Sequence, residues 1–309
     1  MINGNGQAWW DGFSGAEILD PNNKYYRPIL FLTDNATNIE VNGLHLKDSP
    51  CWTNFFVRTR NVVFDDVYIS AVSTNASVRS PLLIPLSTPN PPEILTRAQS
   101  LPKNTDGFDS YNVDGLTVLN TRVNVGDDCF SPKPNTTNIL VRNLWCNGTH
   151  GVSMGSIGQY PGVKDFISNA HLENITLLNG ENGARLKAWA GPSVGYGYIS
   201  NITYKDIHVE NTDHPIVLDQ CYFNIPAATC AAYPSNVNIT GVRFLNVHGT
   251  SSGKEGRVVA DLTCSPGATC NGIHLEDINI TSPKGAAQVV CDNIEGDIGV
   301  PCIPGSEAA

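Results

Sequence analysis

The chain has 309 residues, 41% hydrophobic and 16% charged; that is enough apolar material for one large core or two modest ones and excludes a disordered tail. Its 19 Lys and Arg stand against 29 Asp and Glu, and a net charge of −10 argues against a general nucleic-acid binder. No apolar run approaches the roughly 20 residues of a membrane-spanning helix.

The N-terminus, MINGNGQAWW, has neither the basic start nor the apolar stretch of a signal peptide. From Asn38 onward one pattern recurs: a small polar residue, apolar residues at +1, +3, +6 and +8, and Gly, Asp or Asn at +5. It reads NIEVNGLHL at Asn38, NVVFDDVYI at Asn61, SYNVDGLTV at Ser110 and NILVRNLWC at Asn138. It continues as NAHLENITL at Asn169, NITYKDIHV at Asn201, NVNITGVRF at Asn236 and GIHLEDINI at Gly272. The starts are separated by 23, 49, 28, 31, 32, 35 and 36 residues. The two apolar pairs are short strands of period two, and the +5 residue is of a kind that turns a corner. Such a repeat without helical periodicity predicts an all-β solenoid, a right-handed parallel β-helix forming one domain over residues 1–309. The competing reading is a β-sandwich with coincidental spacing.

The 49-residue step contains Val78 to Gln99, a Pro-rich stretch of 22 residues with no repeat character. Two readings stand. It is a surface insertion, or it is a translated, unspliced intron, since 22 codons keep the frame and Val78-Arg79 can be encoded by a donor-like GTA-AGA. A cDNA sequence separates them.

Nine cysteines and eight Asn-x-Ser/Thr sequons, at Asn35, Asn75, Asn135, Asn147, Asn174, Asn201, Asn238 and Asn279, point to a secreted protein. The spacing suggests the pairs Cys129–Cys146, Cys221–Cys230, Cys264–Cys270 and Cys291–Cys302, with Cys51 left over. A secreted composition without a signal suggests that preceding sequence is missing.

Polar residues that ignore the repeat cluster in its central turns: Asn104-Thr105-Asp106, Asp127-Asp128, His150, Arg185 and Lys187. Asp106 to Asp127 is 21 residues and Asp128 to His150 is 22, each close to one turn, so these side chains should stack on one face. Adjacent Asp residues in a strand point to opposite faces, so both serve one cleft only if the chain bends, which Gly126 permits. Three carboxylates in one patch repel; at least one pKa should rise, as a general acid requires. A neighbouring cationic pair suits a substrate carboxylate. Calcium on Asp106, Asp127 and Asp128 is the metal alternative, opposed by Arg185 and Lys187, so no metal or cofactor is expected. Asp109 and Asp114 read as turn caps.

NTDGFD, GDDCF, THGVSMGSIGQYPG and ARLKAW resemble, in this order, the four signature segments of the polygalacturonases, family 28 of the glycoside hydrolases. The resemblance covers nearly the whole chain and is greatest to the fungal exo-polygalacturonase branch. It implies a parallel β-helix, in agreement with the repeat. It implies an inverting hydrolase of α-1,4-galacturonosyl bonds in pectin, secreted and acting as a monomer on polygalacturonate, with no nucleic-acid or membrane partner. It makes Asp127 the general acid, has Asp106 and Asp128 activate water, and sets His150 beside the acid. Asn104, Arg185, Lys187 and Tyr222 become substrate contacts, with Trp189 as a stacking face or a packed core residue. Inversion calls for roughly 6.5–9.5 Å between acid and base carboxyls. The family begins well before MINGNGQAWW, so the first coils are expected to be absent, and Phe130-Ser131-Pro132 departs from its usual SFKPN-like run. The alternatives are an endo-acting polygalacturonase, a rhamnogalacturonan or xylogalacturonan hydrolase, a calcium-dependent pectate lyase, and an inactive carbohydrate-binding β-helix.

Overall fold

The structure, a computed structural model, describes residues 1–13, 27–74, 102–223, 225–267 and 270–308. The 78–99 insertion and the Asn75 sequon lie outside them.

Each repeat forms one coil of a right-handed parallel β-helix. The longest sheet is built mainly from Val113–Asn124, Thr136–Asn147, Lys164–Leu178, Tyr196–Thr212, Asn236–Ser251 and Cys270–Thr281. A four-stranded sheet holds Phe31–Asp34, Asn54–Val57, Phe108–Tyr111 and Ser131–Pro132. A five-stranded sheet holds Val152–Ile157, Asn182–Ala188, His214–Asp219, Val258–Thr263 and Gln288–Asp292. All ladders between these strands are parallel.

Two corners, five residues apart, bend every coil of the long sheet. They are Asn38 and Gly43, Asn61 and Asp66, Gly115 and Asn120, Asn138 and Asn143, Asn169 and Asn174, Asn201 and Asp206, Gly241 and Asn246, and Gly272 and Asp277. All sixteen have φ between 46° and 82°. Only Gly, Asn and Asp visit this left-handed region at low cost, which is why they occupy the repeat's first and +5 positions. The corner amides also bond to each other along the helix axis: Asn143 Nδ2 donates to Asn120 Oδ1 at 2.7 Å, and Asn174 Nδ2 to Asn143 Oδ1 at 2.8 Å. Asp114, expected as a turn cap, accepts from Asn138 Nδ2 at 2.7 Å.

The structure corrects the alignment of two repeats. One interior column runs Ile39, Val62, Leu116, Ile139, Ala170, Ile202, Val242, Ile273. The sequences at Ser110 and Asn236 were therefore matched five residues early. The cause is the five-residue spacing of the corners: apolar pairs recur at that interval, so Val237 and Ile239 imitate Val242 and Phe244. The long step spans 54 residues, from Val62 to Leu116.

The column Phe56, Phe64, Phe108, Phe130 fills the interior beneath the central turns, with successive ring centroids 5.3, 5.4 and 6.3 Å apart. Trp10, on the helix Gly6–Phe13, joins the same core. Disulfides Cys129–Cys146, Cys221–Cys230 and Cys264–Cys270 form as expected, and Cys51 is free. Cys291 and Cys302 are not bridged. Their thiols instead share a hydrogen bond, which with burial pushes Cys291 up.

Replacing Asn143 separates corner geometry from the amide ladder. Asn143→Ala loses both and should cost about 1–2 kcal/mol, whereas Asn143→Gly keeps the backbone freedom and should cost less. Denaturant midpoints of the two variants check the order.

Candidate active site

The site lies where the central coils leave the long sheet. Asp106 precedes the strand Phe108–Tyr111, and Asp127 and Asp128 lie in the bend before Ser131–Pro132. The coils stack as the spacing predicts: Gly107 N donates to Asp128 O at 2.9 Å and His150 N to Asp127 O at 3.0 Å. Gly107 allows this approach, because a Cβ there would stand 2.4 Å from the Cys129 carbonyl oxygen. Gly126 N donates to Thr105 Oγ1 at 3.0 Å, and the bend turns both Asp127 and Asp128 into one cluster with Asp106. In the Phe130-Ser131-Pro132 run, Ser131 Oγ donates to Gly155 O at 2.8 Å.

Asp106, Asp127 and Asp128 each bring one oxygen within 4.8 Å of the other two. Two charges at that distance repel by about 3–4 kcal/mol at an effective dielectric of 20. The fold answers with a cation beside each of the three. Lys187, 3% exposed, donates to Asp128 Oδ2 at 2.5 Å, and Ser153 Oγ donates to Asp128 Oδ1 at 2.8 Å. His150 Nδ1 lies 3.3 Å from Asp127 Oδ1, and its Nε2 is 3.6 Å from Glu181. Lys133 Nζ lies 3.5 Å from Asp106 Oδ2, while Asp106 Oδ1 is buried with no hydrogen-bond partner among the described residues.

Of the three carboxylates Asp106 is the raised one, and Asp127 is lowered. Burial pushes Asp106 well above the usual range, and Asp109 and Asp127 push it further. Burial acts on Asp127 in the same direction, but His150 and the backbone N–H of Asp128 outweigh it and hold that carboxyl well below the usual range. Burial likewise opposes, and Lys187 reverses, the shift of Asp128, which stays ionised. Burial would lower His150, yet Asp127 and Glu181 raise it to about 9. His150 thus favours its protonated form beside an ionised Asp127.

The cationic pair divides. Lys187 Nζ pairs with Asp128 and also stands over the Tyr222 ring at 5.4 Å. The guanidinium of Arg185 lies over the Tyr222 ring at 5.4 Å, and its Nε is buried with no hydrogen-bond partner among the described residues. Tyr222 packs edge-on to Trp189, and Trp189 also meets Phe223, which is 53% exposed with φ at 70°, so the three rings form a partly open aromatic wall. Asn104 N donates to Asp127 Oδ2 at 3.1 Å, and Asn104 Oδ1 accepts from Arg27 at 2.8 Å. Arg27 also holds the carbonyls of Pro50 and Lys103 at 3.0 and 2.6 Å. Sequence reasoning missed Arg27 and Lys133, and it read Asp109, which is fully buried against Lys133, as a turn cap. The three-carboxylate cluster is compact enough to hold a cation, but Lys187, Lys133 and His150 already supply positive charge to all three of its members.

The nearest oxygens of the three carboxyls lie within 4.8 Å of one another, whereas the roughly 6.5–9.5 Å of inverting enzymes is measured between whole carboxyl groups. Both oxygens of Asp128 are engaged, which disfavours it as a nucleophile.

The fold and site together are a parallel β-helix that carries a buried cluster of carboxylates and cations at its central coils. The profile of the glycosyl hydrolases family 28 matches residues 1–302, and the chain belongs to that family. It is 66% identical over 303 residues to a probable exopolygalacturonase B of Neosartorya fischeri, covering 98% of this chain and 62% of that protein. It is 65% identical to the probable exopolygalacturonase B of Aspergillus terreus, covering 98% of this chain and 65% of the relative. The chain therefore spans somewhat less than two thirds of the length of these relatives. Its fold superposes on endo-xylogalacturonan hydrolase from Aspergillus tubingensis with a TM-score of 0.84 and 31% identity, over 98% of this chain and 73% of the other. Endopolygalacturonase I from Stereum purpureum shares the fold at a TM-score of 0.64 and 19% identity, over 95% of this chain and 78% of that one.

Lys187→Met would leave the buried Asp128 without its counter-ion. The expected loss is about 3–5 kcal/mol of stability, read as a lower denaturant midpoint.

Proposed function

We propose that the chain is the catalytic β-helix of a secreted, monomeric, inverting hydrolase that releases galacturonate from the non-reducing end of polygalacturonate. The observation that carries the reaction class is the cluster of Asp106, Asp127 and Asp128, with His150 Nδ1 3.3 Å from Asp127. The 61–66% identity to probable exopolygalacturonase B relatives supports the substrate and the exo action. Three disulfides support an oxidising compartment. Inversion follows from family membership rather than from the carboxyl spacing.

In this reading the His150–Asp127 pair gives its proton to the glycosidic oxygen as the bond to the anomeric carbon breaks. Water attacks that carbon from the opposite face and loses a proton to Asp128 or to ionised Asp106. Arg185, with its unpartnered Nε, binds the galacturonate carboxylate, and Tyr222 supports the guanidinium. Lys187 keeps Asp128 ionised, so its role moves from substrate contact to support of the base. Asn104 orients Asp127. No metal is required.

A second reading, an endo-acting hydrolase of a branched galacturonan, is favoured by the likeness to the endo-xylogalacturonan hydrolase over nearly the whole chain.

Asp127→Asn should lower kcat by several orders of magnitude with little change in KM; a near-normal rate would remove Asp127 from the acid role. Early products from polygalacturonate decide the mode. Monomer alone supports exo action, mixed oligomers support an endo enzyme, and release only from xylogalacturonan supports the second reading.

A further inference from the structure

The cluster described above leaves one buried acid unused. Asp109 lies on the strand Phe108–Tyr111, is fully buried, and pairs in register with Ser131. Its Oδ1 lies 3.0 Å from Lys133 Nζ. Lys133 also reaches Asp106 Oδ2 at 3.5 Å and donates to Ser131 Oγ at 2.8 Å. Its backbone N–H donates to Ser110 O at 2.9 Å, and its ammonium stands over the Trp52 ring at 5.5 Å. The ammonium donates hydrogen bonds to Ser131 and Asp106, and Asp109 stands beside it as an ion-pair partner. One positive charge thus serves two buried carboxylates.

We propose that Asp109 and Lys133 are positioning residues that set when Asp106 gives up its proton, by sharing a single counter-ion between the two acids. The inference rests on Asp106 acting as a base in the reaction proposed above. A lone lysine neutralises one buried carboxylate; the other remains protonated until the pH rises, because a second unpaired charge there is costly. The remaining charged groups facing this pair sharpen the competition. Asp127 and Asp128 face both acids, and the Cys51 thiol lies beside them. Lys187 is nearby but engaged by Asp128. Burial and these neighbours lift both acids, Asp109 to about 6. The acidic limb of the pH–rate profile is therefore tuned by a residue that touches no substrate.

The signature is a pair of opposite shifts. Asp109→Asn gives Lys133 wholly to Asp106, and the acidic limb of kcat/KM should move down by about one pH unit or more. Lys133→Met leaves Asp106 among like charges, and the limb should move up by a similar amount. Lys133→Arg keeps the charge and should return the limb close to wild type. A purely structural role for these residues predicts lower rates with the limb unmoved in every variant, and that result would overturn the inference.

The titration of the Asp106 carboxyl carbon, followed by 13C NMR in the ligand-free protein, makes the test independent of activity. The midpoint should fall in Asp109→Asn relative to wild type. Equal midpoints would end the proposal whatever the activity. In the wild-type protein alone, Asp106 and Asp109 should each show a second inflection as the other ionises; single, independent inflections would contradict the shared counter-ion. A wild-type chain that cleaves no pectic substrate but shows the shifted midpoint would refute the function proposed above and leave the charge sharing intact.

Discussion

Repulsion among three carboxylates, each with an oxygen within 4.8 Å of the others, is the constraint that organises this molecule. No solvent-exposed loop would hold such a group together. The parallel coils do, because strand spacing is fixed at about 4.8 Å and each coil contributes its residue at the same point of the turn. Gly107 lets two of those coils approach closely enough. The surrounding charges then follow as necessities: Lys187 for Asp128, His150 for Asp127, and Lys133 for Asp106.

The cost of that cluster is distributed unevenly, and the unevenness gives the site its chemistry. Asp128 holds an ion pair and a hydroxyl hydrogen bond and stays charged. Asp127 accepts from two backbone N–H groups and stands beside a protonated His150, so it too is charged. Asp106 keeps one oxygen unpartnered and is the acid that burial leaves protonated. Three residues of one type thus differ in how readily they ionise, through their surroundings alone.

The coil architecture was legible in the sequence because it rests on local rules. Asn, Asp and Gly at the corners and apolar residues between them mark every coil. The same rule misled at Ser110 and Asn236, since corners five residues apart let the pattern fit in two frames. The cluster of Asp106, Asp127, Asp128 and His150 was legible because one turn of spacing places it. Arg27 on Asn104 was not, because it closes a contact 77 residues long that carries no periodic signal. Lys133 carries no signal in the sequence, and Asp109 reads as a turn cap. Their meaning appears only when the coils stack. The partition of Arg185 and Lys187 was also hidden, since alternation along a strand says which face a side chain leaves, not which neighbour claims it.

The central claim is that His150 is protonated beside an ionised Asp127 in the free protein, held so by Asp127 and Glu181. The 15N shifts of the His150 ring test it without substrate. Both ring nitrogens should carry protons at neutral pH, and one should be lost only as the pH rises through about 9. A neutral His150 ring at pH 7 would place the proton elsewhere and contradict this account of the site.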